Sequence, residues 1–399
     1  MRPVILALPI LLVAACRAPA PERVSEDPLP RLEDERHPES PVLLEALHDA
    51  SPARRARAAL AMGRIQSAVY VEPLAAATGD DDRAVRLAAI FALGQQGLLQ
   101  GARPPEAAID GVLPSLEDAD PGIVAAALEA LGKLAGPRVP PLVVPFLDHG
   151  VADVRAAAAM ALFRCRFAPL WRGEATEAPP LPTAAVQALL DGMDDPDDGA
   201  RLMKVYVFSR YAQLEAAPRL AELVGDADDR VRLFAVRGIG RAGDPGAAPA
   251  LESALSDPAD GVRTEAVTAL AALGRADRIP GSMAADRSFH VRAAVAAALG
   301  EAQSNDSLEA LRGLEQDPAP GVRGAALDAL TRRLGDGIDL TAPLEDPDWR
   351  IRAAAAGAAK FLGDAARDVV ETAMRDDDTR VRSAALSTLE TVPIKNPLG

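Results

Sequence analysis

Residues 257–270 read Asp-Pro-Ala-Asp-Gly-Val-Arg-Thr-Glu-Ala-Val-Thr-Ala-Leu, and this stretch decides the fold. Val262, Ala266 and Leu270 follow one another at i, i+4 and i+8, which sets them on one stripe of an amphipathic helix. Arg263 marks a register that recurs along the chain. Arg55, Arg86, Arg155, Arg201, Arg232, Arg292, Arg323, Arg352 and Arg382 stand at the same place, and Val124 fills the beat where an arginine is missing. Successive beats lie 31, 38, 31, 46, 31, 31, 29, 31, 29 and 30 residues apart. A period of this length is the signature of stacked supersecondary units, and eleven fit.

Six residues before each beat stands an aspartate, with His149 as the exception. The spacing predicts a helix start with the aspartate as N-cap and Pro196, Pro258, Pro318 and Pro347 in the first helical position. The apolar stripe is built of small residues, so neighbouring helices can approach closely although only 3% of the chain is aromatic. A shorter apolar-periodic stretch precedes most of these aspartates, as in Ala248 to Leu255, Ala217 to Val224 and Asp368 to Met374. Each unit therefore reads as a helical hairpin that buries its apolar face only by stacking on its neighbours.

The pattern Asp257-Pro258, Val262-Arg263 and Ala266 to Leu270 resembles the short HEAT-like repeat of the type found in phycobilisome lyases, and similar units recur over residues 42–393. The resemblance implies an all-α, right-handed α-solenoid of about eleven hairpins with no sheet. It also implies that the second helices line the concave face and that an aspartate–arginine ladder ties each turn to its neighbour. It assigns Asp226, Arg232, Asp257, Arg263, Asp317, Arg323, Asp346, Arg352, Asp376 and Arg382 to that ladder, and the units around Val124 and Arg201 depart most from the pattern.

The N-terminus runs from Met1-Arg2 into an apolar stretch, Val4 to Ala15, too short to span a bilayer and of the right length for a signal segment. It ends at Cys16. Val13-Ala14-Ala15-Cys16 resembles the bacterial lipoprotein box, which implies cleavage after Ala15 and a lipid-modified Cys16 holding the chain on the bilayer. Arg17, in place of an aspartate, resembles the sorting signal for the outer membrane. The expected organisation is a signal peptide over residues 1–15, a lipidated cysteine and proline-rich flexible tether over 16–41, the solenoid over 42–393 and a tail over 394–399. The expected address is extracytoplasmic, on the bacterial envelope.

Net charge is -15, and loss of residues 1–15, whose only charge is Arg2, takes it to -16. Such an acidic balance opposes a role in tracking phosphates, so no nucleic-acid partner is expected. Chemistry is equally sparse. The four histidines lack helical metal spacing and two cysteines cannot make a cysteine-rich zinc site. Gly238 to Gly243 has dinucleotide-fingerprint spacing but ends a helix rather than opening one, with Gly238 at a helix contact and Gly240 and Gly243 in the following turn. Cys165 has no intramolecular partner once Cys16 is lipidated. No catalytic residue, cofactor, metal or small-molecule substrate is assigned, and the chain is not read as an enzyme.

The two long steps, 38 and 46 residues, mark insertions, which solenoids place in loops. The second, around Arg166 to Thr183, lies among Phe163, Phe167, Trp171, Tyr206, Phe208 and Tyr211, six of the chain's thirteen aromatics. Large rings either plug a gap in a broken repeat or form a contact surface. On the second reading Trp171, Arg172, Arg210 and Tyr211 touch a partner. The functional expectation is a protein-binding scaffold using a curved acidic surface, with a lyase-like or enzyme-assisting module acting on a protein-bound group as the alternative.

Overall fold

In a computed structural model, residues 28–391 are described except for 100, 102, 303 and 364. Cys16, the lipoprotein box, residues 16–27 of the expected tether and the tail 394–399 lie outside the described residues. Eleven longer helices stack in register: Pro52–Ile65, Arg83–Gln95, Pro121–Leu134, Ala152–Trp171, Asp198–Ser209, Asp229–Ala242, Asp260–Ala272, Phe289–Leu299, Pro320–Leu334, Trp349–Ala358 and Thr379–Leu389. They are the second helices of repeats 1 to 11. The first helices are shorter, as in Val71–Ala77, Ala217–Glu222, Ala248–Ala254 and Ala366–Ala373. No strand occurs among the described residues, and the fold is an α-solenoid. Repeat 8 departs from the hairpin plan, because short 3₁₀ turns, Ala276–Arg278 and Gly281–Ala285, replace its first helix.

The recurring aspartates are not the N-caps. The caps stand two residues later, where Asp82, Asp120, Asp197, Asp228, Asp348 and Asp378 accept backbone N–H groups of the first turn. The earlier aspartate folds the approach to the helix: its carboxylate accepts the N–H of the cap residue, at 2.8 Å for Asp82 on Asp80 and for Ala259 on Asp257. The prolines after these aspartates accordingly precede the cap. Fixed in this way, each carboxylate presents its remaining lone pairs to the preceding repeat.

There the arginine arrives. Arg232 donates Nε and Nη2 to Asp257 at 2.7 and 2.9 Å, while its Nη1 donates to the carbonyl of Asp226, in its own turn, at 2.9 Å. The same arrangement joins Arg55 to Asp80, Arg155 to Asp195, Arg201 to Asp226, Arg263 to Asp286, Arg292 to Asp317 and Arg352 to Asp376. Arg86 to Asp118 and Arg323 to Asp346 are looser, at 3.1 and 3.7 Å. Each arginine thus pairs with the aspartate of the next repeat, and the unit around Arg201 is complete despite its weak sequence pattern. Among the described residues Arg382, in repeat 11, holds the carbonyls of Asp376 and Asp377 and no carboxylate.

Between repeats 3 and 4 both halves of the rung are replaced at once. Val124 is buried where the arginine would stand, and His149 occupies the aspartate's place, its Nδ1 accepting the Val151 N–H at 3.1 Å. An aspartate left there without its arginine would be a desolvated carboxylate lacking a counter-ion, so the paired loss is the less costly one. Close helix contact is kept there as elsewhere. Gly132 lies so close to the second helix of repeat 4 that a Cβ would come within 2.7 Å of the Ala161 Cα, and Gly63 and Gly240 meet Ala92 and Ala269 in the same way. Gly240 is therefore a packing residue inside its helix, while Gly243, with φ of 75°, is the left-handed C-cap.

Residues 28–41 do not behave as part of a free tether. Leu29–Asp34 forms a helix whose Leu29 is fully buried, and Glu33 pairs with Arg57 and Arg64 of the first repeat. The buried Tyr70 hydroxyl accepts the Ser40 N–H and donates to the His37 carbonyl, both at 2.9 Å. This segment closes the exposed end of the first repeat, as terminal repeats of solenoids require.

Two outcomes follow. Arg232→Ala strands the nearly buried Asp257 carboxylate and is expected to cost about 2 to 4 kcal/mol, whereas Arg382→Ala, which removes only carbonyl contacts, costs about 1 kcal/mol or less; urea denaturation of both variants checks the order. The arginine hydrogen bonds hold the carboxyls of Asp80, Asp286, Asp317 and Asp376 below the ordinary value of 3.8. A depressed native value means that this stabilisation is whole above the unfolded-state value and is lost as pH falls through the native one. Melting temperature should therefore fall steeply below pH 3.8, which a calorimetric pH series would show.

Candidate functional site

The rungs lie where the second helices begin. The insertions lie at the opposite edge, where those helices end. The second helix of repeat 4 is lengthened to 20 residues, Ala152–Trp171, so it extends into the segment expected to be a loop. It carries Pro169 within its last turn. This extension brings Arg172 to the earlier insertion, around residues 96–105. The Gly101 N–H donates to the Arg172 carbonyl at 3.0 Å, and Arg172 Nη1 donates to the carbonyls of Gly97, Lys133 and Leu134 at 3.1, 3.2 and 3.2 Å. Its Nε donates to Glu174 at 2.8 Å. One buried guanidinium, only 4% exposed, gathers the ends of the second helices of repeats 2, 3 and 4. Cations are favoured at helix C-termini, where carbonyls lack partners. The two breaks in the period are one structure.

Beneath this clasp lies a cleft of about 470 Å³. Pro104, Pro137, Pro140, Pro169, Pro179, Pro180 and Pro182 line it, together with Ile109, Leu134 and Leu181. Its polar lining is Arg103, Glu106, Cys165, Arg166, Arg172 and Glu174. Burial pushes the Cys165 thiol up to about 12, so it is held protonated. Arg166 stacks on the Tyr211 ring at 4.1 Å and donates Nη1 to the Pro179 carbonyl at 2.9 Å.

The four residues expected to touch a partner separate into two groups. Arg172 and Tyr211 are buried, the first by its carbonyl acceptors and the second under Arg166 and against Phe208 at 5.9 Å. Trp171 is 53% exposed and Arg210 is exposed. Trp171 stands on the clasp and Arg210 at the end of the second helix of repeat 5, so the four do not form one patch.

The aromatic run lies instead along the second helices of repeats 4 to 6, with Phe163 buried and Phe167, Tyr206 and Phe234 half-buried against the core. Phe167 meets Phe163 at 4.6 Å, Phe163 meets Tyr206 at 5.1 Å and Tyr206 meets Phe234 edge-on at 5.2 Å. Arg237 ends the run over Phe234 and pairs with Glu265. Farther up the stack the Lys133 ammonium sits 5.1 Å above Phe91, which is 40% exposed, and shares Glu129 with Arg164. Along the second helices from repeat 1 to repeat 9, the equivalent positions carry a charge opposite to the chain's. Positions one, two, five and nine after the beat carry Arg57, Arg64, Lys133, Arg164, Arg210, Arg237, Arg241 and Arg332, against Glu129, Glu265, Glu301 and Asp328. At these positions basic side chains outnumber acidic ones, while many of the carboxylates lie in the rungs and caps. Phe234 lies outside the insertions, two residues after Arg232, and its place in the repeat is the sequence signal that marks it.

Lys204 is a second residue that pattern reading missed. It stands three after the beat, where alanine is the rule, and is 2% exposed. Its Nζ lies 2.9 Å from Asp195, which also accepts Arg155 at 2.6 Å. Burial alone would raise the Asp195 carboxyl, but the bonds from Arg155 and Lys204 prevail and hold it far below the usual carboxylate range.

The family model described as HEAT repeats matches residues 40–105, 97–162, 216–281 and 281–342, together more than half of the chain. Residues 163–215, with the clasp and most of the aromatic run, fall between these matches. No curated protein matches in sequence. Among solved structures, the karyopherin Kap121p bound to the extreme C-terminus of the protein phosphatase Cdc14p aligns with TM-score 0.52 at 14% identity, over 91% of this chain and 45% of that one. A Kap121p mutant aligns with TM-score 0.54 at 14% identity over 88% and 45%, and Kap121p bound to Nup53p with 0.53 at 15% over 88% and 44%. The chain spans less than half the length of these karyopherin chains, and at this identity the likeness is one of fold.

Arg172→Ala should lower stability by about 2 to 4 kcal/mol, because three buried carbonyls and Glu174 lose their donor together. Arg210→Ala, at an exposed site, should stay within about 0.5 kcal/mol. Chemical denaturation of the two variants compares them.

Proposed function

The chain belongs to the HEAT-repeat family, and from that premise we propose that it is a lipid-anchored scaffold of the bacterial envelope. It holds an acidic protein partner on the open face of its second helices. The observation that carries this reading is the aromatic run from Phe167 to Phe234, on second helices whose equivalent positions carry more basic than acidic side chains in a chain of net charge -15. Aromatic rings and arginines supply most of the energy at protein interfaces, and an opposed charge pattern speeds encounter and excludes wrong partners. Kap121p, of similar fold, is seen bound to the extreme C-terminus of Cdc14p and to Nup53p. The anchor rests on the lipoprotein box at Cys16, with residues 17–27 leading into the ordered segment that closes repeat 1. By resemblance of Arg17 to the sorting signal, the outer membrane is the favoured site.

The alternative, an enzyme-assisting module acting on a protein-bound group, would use the cleft under the clasp. Its Glu106 is paired with Arg138, its Glu174 with Arg172, and its only thiol is held protonated. Both carboxylates are engaged by arginines and the thiol is held protonated, which favours the scaffold.

Crosslinking of the membrane-bound chain, followed by mass spectrometry, tests the reading. Phe91→Ala with Arg241→Glu should reduce recovery of the enriched partner tenfold or more in a folded protein, and unchanged recovery would refute the assigned face. Cys16→Ala should move the chain from the membrane to the soluble fraction; a variant that remains with the membrane would remove the anchor from the account.

A further inference from the structure

The cleft beneath the clasp has an electrostatic imbalance that the rest of the molecule does not prepare for. Of the charged side chains lining it, both carboxylates already have cations. Glu106 accepts from Arg138 at 2.8 Å, and Glu174 accepts from Arg172 at 2.8 Å. Two guanidiniums remain. Arg103 is exposed and has no carboxylate partner among the described residues. Arg166 stands on the wall with one hydrogen bond, to the Pro179 carbonyl, and one ring contact, to Tyr211. Its Nε is buried without an acceptor, as is the hydroxyl of the Tyr211 on which it lies. Removing a guanidinium from water without an anion is costly, and burial correspondingly lowers the proton affinity of Arg166. The arginines of the rungs, in the same molecule, each find a carboxylate or a set of carbonyls.

The remaining lining is apolar and stiff. Seven prolines and three aliphatic side chains surround a space of about 470 Å³, within the ordinary range for small-molecule pockets. Prolines lose little entropy when a ligand settles against them, and they present no N–H to be left unpaired. The clasp fixes the geometry, because Arg172 ties the wall from repeat 4 to the helix ends of repeats 2 and 3. Two cations without carboxylate partners in a rigid apolar cleft match a ligand with one anionic head and one apolar body.

We propose that this cleft binds an amphiphile bearing a single carboxylate or phosphate group, its head held by Arg103 and Arg166 and its apolar part against the prolines. The site is separate from the second-helix face assigned to the protein partner, so either can stand without the other.

Isothermal titration of the full chain with decanoate and with decyl phosphate tests this, with 1-decanol and decylammonium as controls. The expected result is saturable one-to-one binding of at least one anion and none of either control. The carboxylate arm alone would indicate a fatty-acid-like ligand, and the phosphate arm alone a lipid-phosphate-like one. Arg166→Gln should weaken binding at least tenfold and Arg103→Ala severalfold. Arg103 is exposed and its replacement leaves the core intact, so it decides the matter if Arg166→Gln does not fold. The proposal is overturned if neither anion binds, if decanol binds as well as the anions, or if Arg103→Ala leaves the affinity unchanged.

Discussion

The bidentate bond between an arginine of one repeat and the aspartate of the next is the interaction on which the rest of the structure depends. A helical hairpin of small residues cannot bury its own stripe, and alanines in a smooth stack give little to fix the angle or offset of one layer on another. The rung supplies that definition. Its carboxylate is already held by the cap residue's N–H, and its arginine is already held by carbonyls of its own turn, so both partners meet pre-organised. The isolated worth of an exposed ion pair is small, but most of these pairs are partly buried and carry further hydrogen bonds to backbone groups, and removing one partner leaves a desolvated charge.

Much of this was legible in the sequence, for a physical reason. A repeat imposes the same environment many times, so arginines and aspartates that each look ordinary become a pattern when the period is found. The period gave the hairpins, and the resemblance to HEAT-like repeats implied the ladder. The period misplaced the caps by two residues, because an aspartate that caps a helix and one that folds the approach to it stand in the same composition, and only the backbone separates them. It left repeat 8 as a hairpin, since the turns from Ala276 to Ala285 keep the spacing without the helix. It also took Arg172 for a surface contact: a charged residue in a long insertion reads as exposed, and the three carbonyls that bury it come from residues 97, 133 and 134, distant in the chain.

The irregularities repay attention for the same reason that the regular part is monotonous. Two insertions separated by two repeats converge at the edge away from the rungs, where Arg172 binds three helix ends and the cleft forms. The interval between repeats 3 and 4, which lacks a rung, lies directly under that clasp. Cohesion lost at the start of the helices through Val124 and His149 is thus restored at their ends. The second helices between these edges carry the aromatic run and the basic side chains, so ladder, binding face and cleft divide the solenoid's surface without overlap.

Building the missing rung tests the ladder most directly. Val124→Arg and His149→Asp, made singly and together, place the two halves where the other repeats have them. The account predicts that each single change destabilises the protein, because each leaves one charge without its partner, and that the double variant recovers stability by a coupling of about 1 to 3 kcal/mol in a denaturation cycle. Additive effects of the two substitutions would contradict it.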